Sequence, residues 1–454
     1  MPSATRSNVI KHTDLTKGSI WRSLVNYTLP LLLGNLFQQL YNTIDSIVVG
    51  NYIGKEALAA VGSSGSLISM FVSLFMGISV GAGVVISRYF GAKRYEDMNK
   101  TIQTTIAFGL ISGIFLTILG VTLTPIFLEW MGTPESVMEN SVLYFRIYFL
   151  GIIFTLMYNF GSGIFRAVGD SRRPLYYLIV STILNILLDL LFVAIFNMGI
   201  AGVAIATVIA QAVSCVLTYM TLIKDDAVYK LNVKDIRMHK DYIGNIIKIG
   251  LPSGIQNAIV SFSNVIVQTN INSFGDNAMA GCGAYAKVDG FALMPSGSFS
   301  MALSTFVSQN LGAKQYDRAK KGAIIGLGLT MAVTQIIGIF IYFFAPQVIP
   351  IFNSDPAVVE YGTMMARNVV FGYFLVSFSH GMGGVLRGAG LSKVPMFVMI
   401  GCWCALRIAW LEIMVPLTND IHTVFWGYPL TWLISGIIFI IYFLKVDWLH
   451  KKEL

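Results

Sequence analysis

Two aspartates sit inside long apolar runs, where an ionised carboxylate is expensive: Asp45 in LYNTIDSIVVG and Asp189 in NILLDLLFVAIF. Intramembrane ionisable groups of this kind are read by default as functional. Asn185 lies one helical turn before Asp189 and on the same face. Counted at 1.5 Å per residue, Asp45 lies roughly 8 Å, Asp189 roughly 10 Å and Thr207 roughly 12 Å from the same end of their runs. Two carboxylates, an amide and a hydroxyl at similar depth suit a hard cation. They equally suit a shared proton, because desolvation and like-charge repulsion both favour the protonated carboxyl.

Other polar residues in apolar runs are more ambiguous. Lys287 and Asp289, two residues apart, do not face each other on a helix, so each can have a partner elsewhere or line the cavity. Arg367, Arg407 and Glu412 lie nearer the ends of their runs, where long side chains can snorkel to water. Gln38, Asn42, Asn159, Asn264, Gln268 and His380 can line a cavity or bridge helices. No nucleotide-binding G-x-x-x-x-G-K-[ST] string appears; GNYIGKE at 50–56 has the wrong spacing. No H-E-x-x-H occurs, and Cys402-x-Cys404 has no companion ligands. These patterns argue against ATP-driven transport, a metal centre and an enzyme.

The elements that must hold such residues follow from composition. Of 454 residues, 55% are hydrophobic and only 12% charged, with mean hydropathy +0.69. A soluble domain carries roughly twice that charge, so the chain reads as an all-α polytopic membrane protein. At about 20 residues per crossing, twelve spans fit: 24–50, 57–86, 101–125, 141–165, 174–196, 199–223, 246–273, 278–307, 322–346, 361–386, 395–416 and 422–444. The polar stretch 224–245 reads as a linker. The expected organisation is an N-terminal segment 1–23, an N-lobe 24–223, the linker, a C-lobe 246–445 and a tail 446–454.

Lys and Arg are distributed unevenly about these spans. Counting Lys248, at the entry of span 7, with the linker, all but five of the 31 lie in the N-terminal segment, the loops after even-numbered spans and the tail. Lys55 alone lies in an odd-numbered loop; Arg146, Lys287, Arg367 and Arg407 lie in spans. The positive-inside rule then puts both termini and the linker in the cytoplasm of a cell (plasma or inner) membrane. It also accounts for the net charge of +8 without a nucleic-acid partner.

The chain repeats itself. SRYFGAKRYEDMNK at 87–100 returns as SQNLGAKQYDRAKK at 308–321, and RAVGDSRRP at 166–174 as RGAGLSKVP at 387–395. Pro30 likewise matches Pro252. Two six-span units that enter and leave on one side are related by an axis along the membrane normal, around a cleft suited to alternating access. The offset maps Asp45 onto Ile266 or Val267, Asn185 onto Leu406 and Asp189 onto Trp410. The polar set is therefore confined to one lobe. Gly77-x-x-x-Gly81 and Gly384-x-x-x-Gly388 permit close helix packing.

Twelve spans in two lobes, paired GAK-x-Y loops and paired R-x-x-G-x-x-x-x-P loops resemble the multidrug and toxic compound extrusion (MATE) family, over nearly the whole chain. The resemblance implies a secondary antiporter that exports organic compounds, cationic or amphiphilic, against inward Na⁺ or H⁺. It implies no cofactor beyond the coupling ion, a lipid bilayer around the protein and a monomer. Its DinF-like branch has a coupling site at positions matching Asp45, Asn185, Asp189 and Thr207, with a helix-bending proline matching Pro30. The NorM-type acids of spans 7 and 10 have no counterpart here. The alternative is a lipid-linked oligosaccharide flippase of related two-lobe design, which would be expected to line its cleft with several basic residues.

Overall fold

The computed structural model describes residues 14–130 and 133–450. Residues 1–13 of the expected N-terminal segment and 451–454 of the tail lie outside them, as does the side chain of Lys55. Sixteen α-helices and six short 3₁₀ or π segments, with no strand among the described residues, group into twelve consecutive spans. Where spans must stop, the sequence supplies the means. Asp355 and Asp420 cap the helices Pro356–Val369 and Ile421–Lys445 by accepting backbone N–H bonds. Asn419 ends the preceding helix in the left-handed conformation.

Eight spans are long and apolar enough to cross a bilayer. Span 4 makes a ninth when its two helices, Glu135–Leu150 and Ile152–Ala167, bent by 46°, are taken together. The remaining three are span 1 (Ile20–Val48, then a π-helical turn Val49–Ile53), span 7 (Lys240–Asn272) and span 8 (Asp276–Ala292 and Met294–Gly312). These carry Gln38, Asn42, Asp45, Asn264, Gln268, Lys287 and Asp289. A helix rich in such residues is tolerated in a membrane where it faces protein or a water-filled cleft rather than lipid.

Spans 1 and 7 do not stay within their own halves. Leu24, Tyr27 and Leu31, on the first turns of span 1, pack into a cluster with Leu303, Phe306, Val385 and Phe439 of the second half. Beyond Pro30 the same helix joins the first half, where Ile44 and Val48 pack among Phe145, Phe149 and Val203. Span 7 does the converse. Ile246 and Ile249 join the first half's cluster with Ile78 and Val84, while Val267 and Ile271, beyond Pro252, join the second half's. Each proline sits close to where its helix changes sides.

Glycines make this crossing possible. Gly77 and Gly81 of span 2 lie against Gly254 and Gly250 of span 7, so close that a Cβ on any of the four would meet backbone atoms of the other helix. At the ends of spans 2 and 8 the two GAK motifs touch reciprocally: a Cβ on Gly91 would run into the Gln309 carbonyl, and one on Gly312 into that of Arg88. Hydrogen bonds stitch the same seam. Ser308 Oγ donates to the Val84 carbonyl at 2.7 Å, Gln309 Nε2 to that of Ala167 at 2.7 Å and Arg88 Nη1 to that of Ala389 at 3.4 Å. The halves are thus packed together at the end bearing the Lys/Arg-rich loops.

Two peripheral segments reinforce that end. The linker lies on the first half, with Tyr229 and Leu231 buried and Arg173 Nη1 donating to Asp225 at 2.6 Å and to the Tyr229 hydroxyl at 2.7 Å. The residues before span 1 are held by the second half. Asn310 Nδ2 and Arg318 donate to the carbonyl of Leu15, which is fully buried, and Arg318 also to those of Lys17 and Gly18.

Candidate functional site

Asp45, Asn185, Asp189 and Thr207 come together at the far end of the first half, away from the basic loops. All four are buried, Asn185 and Asp189 completely. The two carboxyls lie within direct interaction range of each other. Span 6 enters through Thr207, whose hydroxyl accepts a 3.0 Å hydrogen bond from Tyr41, one turn before Asp45. Tyr144 and Tyr148 of span 4 close the site around Asp45.

The helices change character here. Asp189 is the last residue of the helix Arg172–Asp189 and opens directly onto a π-helical stretch, Leu190–Ile195. Asp45 lies one turn before the π-helical Val49–Ile53, and the two stretches touch. π-helical turns are scarce and concentrate at functional sites, because they expose carbonyls that a regular helix would bond.

What these side chains lack is as informative as what they touch. Apart from the facing carboxyls themselves, Asp45 Oδ1, both carboxylate oxygens of Asp189, both polar atoms of the Asn185 amide and the Thr182 hydroxyl are buried with no hydrogen-bond partner among the described residues. Neither acid forms an ion pair among the described residues. A buried polar atom left unpaired costs about 1–3 kcal/mol, more when charged, and several are gathered here. A proton shared between the carboxyls, or a cation, would pair them. Thr182, Tyr41, Tyr144 and Tyr148 were not singled out from sequence. The available signal was spacing: Thr182, Asn185 and Asp189 fall at i, i+3 and i+7, and Tyr41 at i−4 from Asp45.

The other candidates are not gathered into this site. Gln38 is half-buried, whereas Asn42 and Asn264 are exposed. Gln268 donates to Asn272 at 2.8 Å, and Asn159 to the Thr155 carbonyl within its own helix at 2.8 Å. The His380 ring stands edge-on to Trp403, 5.3 Å between centroids. Lys287 and Asp289 have separate partners: the Lys287 ammonium lies 5.5 Å above the Phe352 ring. Asp289 Oδ1 accepts from Tyr373 at 2.6 Å and from Tyr285 at 3.2 Å.

Arg407 departs from the sequence expectation. It does not snorkel but is 2% exposed, its guanidinium 4.7 Å above the Tyr428 ring and donating to Thr431 at 3.0 Å. Aromatic faces and a hydroxyl substitute for water around a planar cation. At the position repeat-related to Asp189 stands Trp410, half-buried against the second half's cluster and donating its indole N–H to the Thr423 carbonyl at 2.9 Å.

Comparison with known proteins fits this geometry. A family model described as MatE matches twice, over residues 30–191 and 252–410, so the matches begin 222 residues apart, as the repeat does. "Probable multidrug resistance protein YoeA" of Bacillus subtilis is 29% identical over 445 residues, covering 96% of each chain. "Probable multidrug resistance protein NorM" of Thermotoga maritima is 26% identical, covering 85% of this chain and 84% of that one. A structure described as the outward-facing conformation of a multidrug resistance MATE family transporter superposes with a TM-score of 0.92 at 22% identity, over 98% of this chain and all of the other. The doubled motif, the twelve-span fold and the matches over most of the sequence agree: the chain belongs to the MATE family of membrane transporters.

Proposed function

We propose that this protein is a cation-coupled antiporter that exports organic compounds, with Asp45, Asn185, Asp189 and Thr207 as the coupling site. The observation that carries the reading is the group of unpaired, buried oxygen and amide atoms between spans 1, 5 and 6. On this reading the lobes are 24–223 and 246–445, both termini and the linker are cytoplasmic, and the structure has its cytoplasmic side closed. The relatives named as multidrug resistance proteins support organic compounds as cargo.

Coupling requires that the ion bind one arrangement of the lobes better than the other, since a ligand with equal affinity for both shifts nothing. On this reading span 1 carries that preference. Asp45 and Thr207 meet through Tyr41 on span 1, the helix whose first turns belong to the opposite half. Neutralising the carboxyl pair removes its repulsion and lets span 1 settle against spans 5 and 6. Freeing the pair loosens that contact. Pro30 removes one backbone hydrogen bond from the same helix and lowers the cost of bending there.

The test is uptake of a fluorescent cationic drug into inverted vesicles, driven separately by Na⁺ and pH gradients. Asp45→Asn and Asp189→Asn keep shape but lose charge, so membrane expression and drug binding should persist while gradient-driven uptake falls to background. Asn185→Leu and Thr207→Val should raise the ion concentration needed. If Na⁺ is the ion, raising the pH relieves competition by protons; if H⁺ is, raising the pH slows export. Full gradient-driven uptake by both aspartate variants would overturn the assignment.

A further inference from the structure

A second group of unpaired charges lies at the opposite end, in the seam between the halves. Arg166, in the last turn of span 4, and Arg387, in the last turn of span 10, are the two arginines of the repeated R-x-x-G-x-x-x-x-P motif. Arg88 joins them from span 2, donating across the seam to the Ala389 carbonyl. None of the three forms an ion pair among the described residues. The nearby carboxylate of Asp170 is engaged by Arg173 at 3.4 Å and by the backbone N–H groups of Arg172 and Arg173. The closed seam therefore gathers three guanidiniums around one buried acid, Asp170, with which none of the three forms an ion pair.

The two motif arginines are satisfied differently. Arg387 Nη2 donates to Ser300 Oγ at 2.7 Å, and Ser300 passes its own hydrogen on to the His380 carbonyl at 2.6 Å. The repeat-related Ser79 likewise donates to the Asn159 carbonyl at 3.0 Å, but there Arg166 lines a cavity of about 30 Å³, its Nη2 4.0 Å from where a Cβ on Gly163, also on the wall, would stand. Residues of both halves line it: Tyr27, Ser79 and Arg166 from the first, Met301, Ser304 and Thr305 from the second. Ser304 is 4% exposed and its hydroxyl has no partner among the described residues. Its repeat counterpart is Gly83, also on the cavity wall, so the free hydroxyl exists on one side only.

We infer that this cavity is an anion site that takes a single halide-sized ion, chloride in the cell, held by the Arg166 guanidinium and the Ser304 hydroxyl. Its volume holds a water-sized species with little to spare, which suits a halide better than a bulkier anion. A guanidinium offers donors and no acceptor, and a serine hydroxyl can turn its hydrogen to an anion. Because both halves build the cavity, the anion binds only while this end is closed and so favours that arrangement. The site is separate from the acid cluster and does not depend on its role.

The experiment uses the full-length protein in nanodiscs, with sodium and ionic strength fixed and gluconate progressively replaced by chloride or bromide. The melting temperature should rise with saturation for both halides. Ser304→Ala should shift half-saturation at least threefold upward, Arg166→Gln should abolish the effect, and Asp45→Asn should leave it intact. Crystals grown in bromide should show an anomalous peak beside Arg166. A halide response that does not saturate, or that Ser304→Ala leaves unchanged, overturns the proposal. So does a cavity without an anomalous peak, which would hold water only. Should Arg166→Gln fail to fold, Ser304→Ala and the bromide peak decide the matter alone.

Discussion

The two halves answer the same structural question in opposite ways at the end remote from the basic loops. Where the first half has Asp45, Asn185 and Asp189 with several unpaired atoms, the second has Ile266, Leu406 and Trp410, and the Trp410 indole N–H is satisfied by a backbone carbonyl. The scaffold does not need the polar set, since one copy does without it. Groups that are buried, unpaired and dispensable to the fold are a cost that a ligand must offset. At the basic end the halves are instead alike, each presenting a glycine to a carbonyl of the other. Difference at one end and likeness at the other separate a site from a joint.

Substitutions can sharpen that contrast. The largest effect should come from Trp410→Ala, which removes a half-buried ring and its indole hydrogen bond and should cost about 2–3 kcal/mol in unfolding experiments, while the ion dependence of transport by the surviving protein stays unchanged. The matching change in the first half, Asp189→Leu, should move stability the other way, by about 1–3 kcal/mol, because an unpaired buried acid is replaced by a well-tolerated apolar group. Coupling should disappear with it. If Asp189→Leu destabilised as much as Trp410→Ala, the acid would be a structural member of its lobe.

At the joint the halves should respond alike. Gly91→Ala and Gly312→Ala each push a methyl toward a carbonyl across the seam and should each cost about 1–3 kcal/mol. Thiol accessibility at the basic end should rise in both; a response in only one would break the equivalence. The smallest effect belongs to the linker. A hydrogen bond from the Tyr242 hydroxyl, aided by Arg94, holds the Asp97 carboxyl below its usual range despite partial burial. A carboxyl lowered in the folded state contributes above its unfolded value and loses that contribution as pH falls through the folded one. Hydrogen exchange around residues 236–242 should therefore quicken below about pH 4, and Tyr242→Phe should reduce that dependence.

Much of this was legible in the sequence. An acid in an apolar run stands out against its background, which is why Asp45 and Asp189 could be found, and a four-residue step was enough to add Asn185. The constant offset of the repeat exposed the two halves without any structural information. Tyr41, Tyr144, Tyr148 and Thr182 stayed hidden because tyrosines and threonines are ordinary span residues, and only proximity to the acids gives them meaning. Arg407 was misjudged for a related reason: its distance from a span end is visible in sequence, but the Trp403 and Tyr428 rings that receive it are not. The changeover of spans 1 and 7 was equally hidden, because apolar periodicity says which face of a helix is buried and not which neighbour buries it.

That changeover bears on how the protein is made. When the first six spans have left the ribosome, the glycine face of span 2 still lacks Gly250 and Gly254, and the cluster around Val84 still lacks Ile246 and Ile249. The early turns of span 1 have no Phe306 or Val385 to meet. The first half therefore reaches the membrane with two unfinished surfaces, one waiting for span 7 and one for spans 8 to 10. Synthesis of the second half completes the first, so the two copies of the repeat are obliged to mature together.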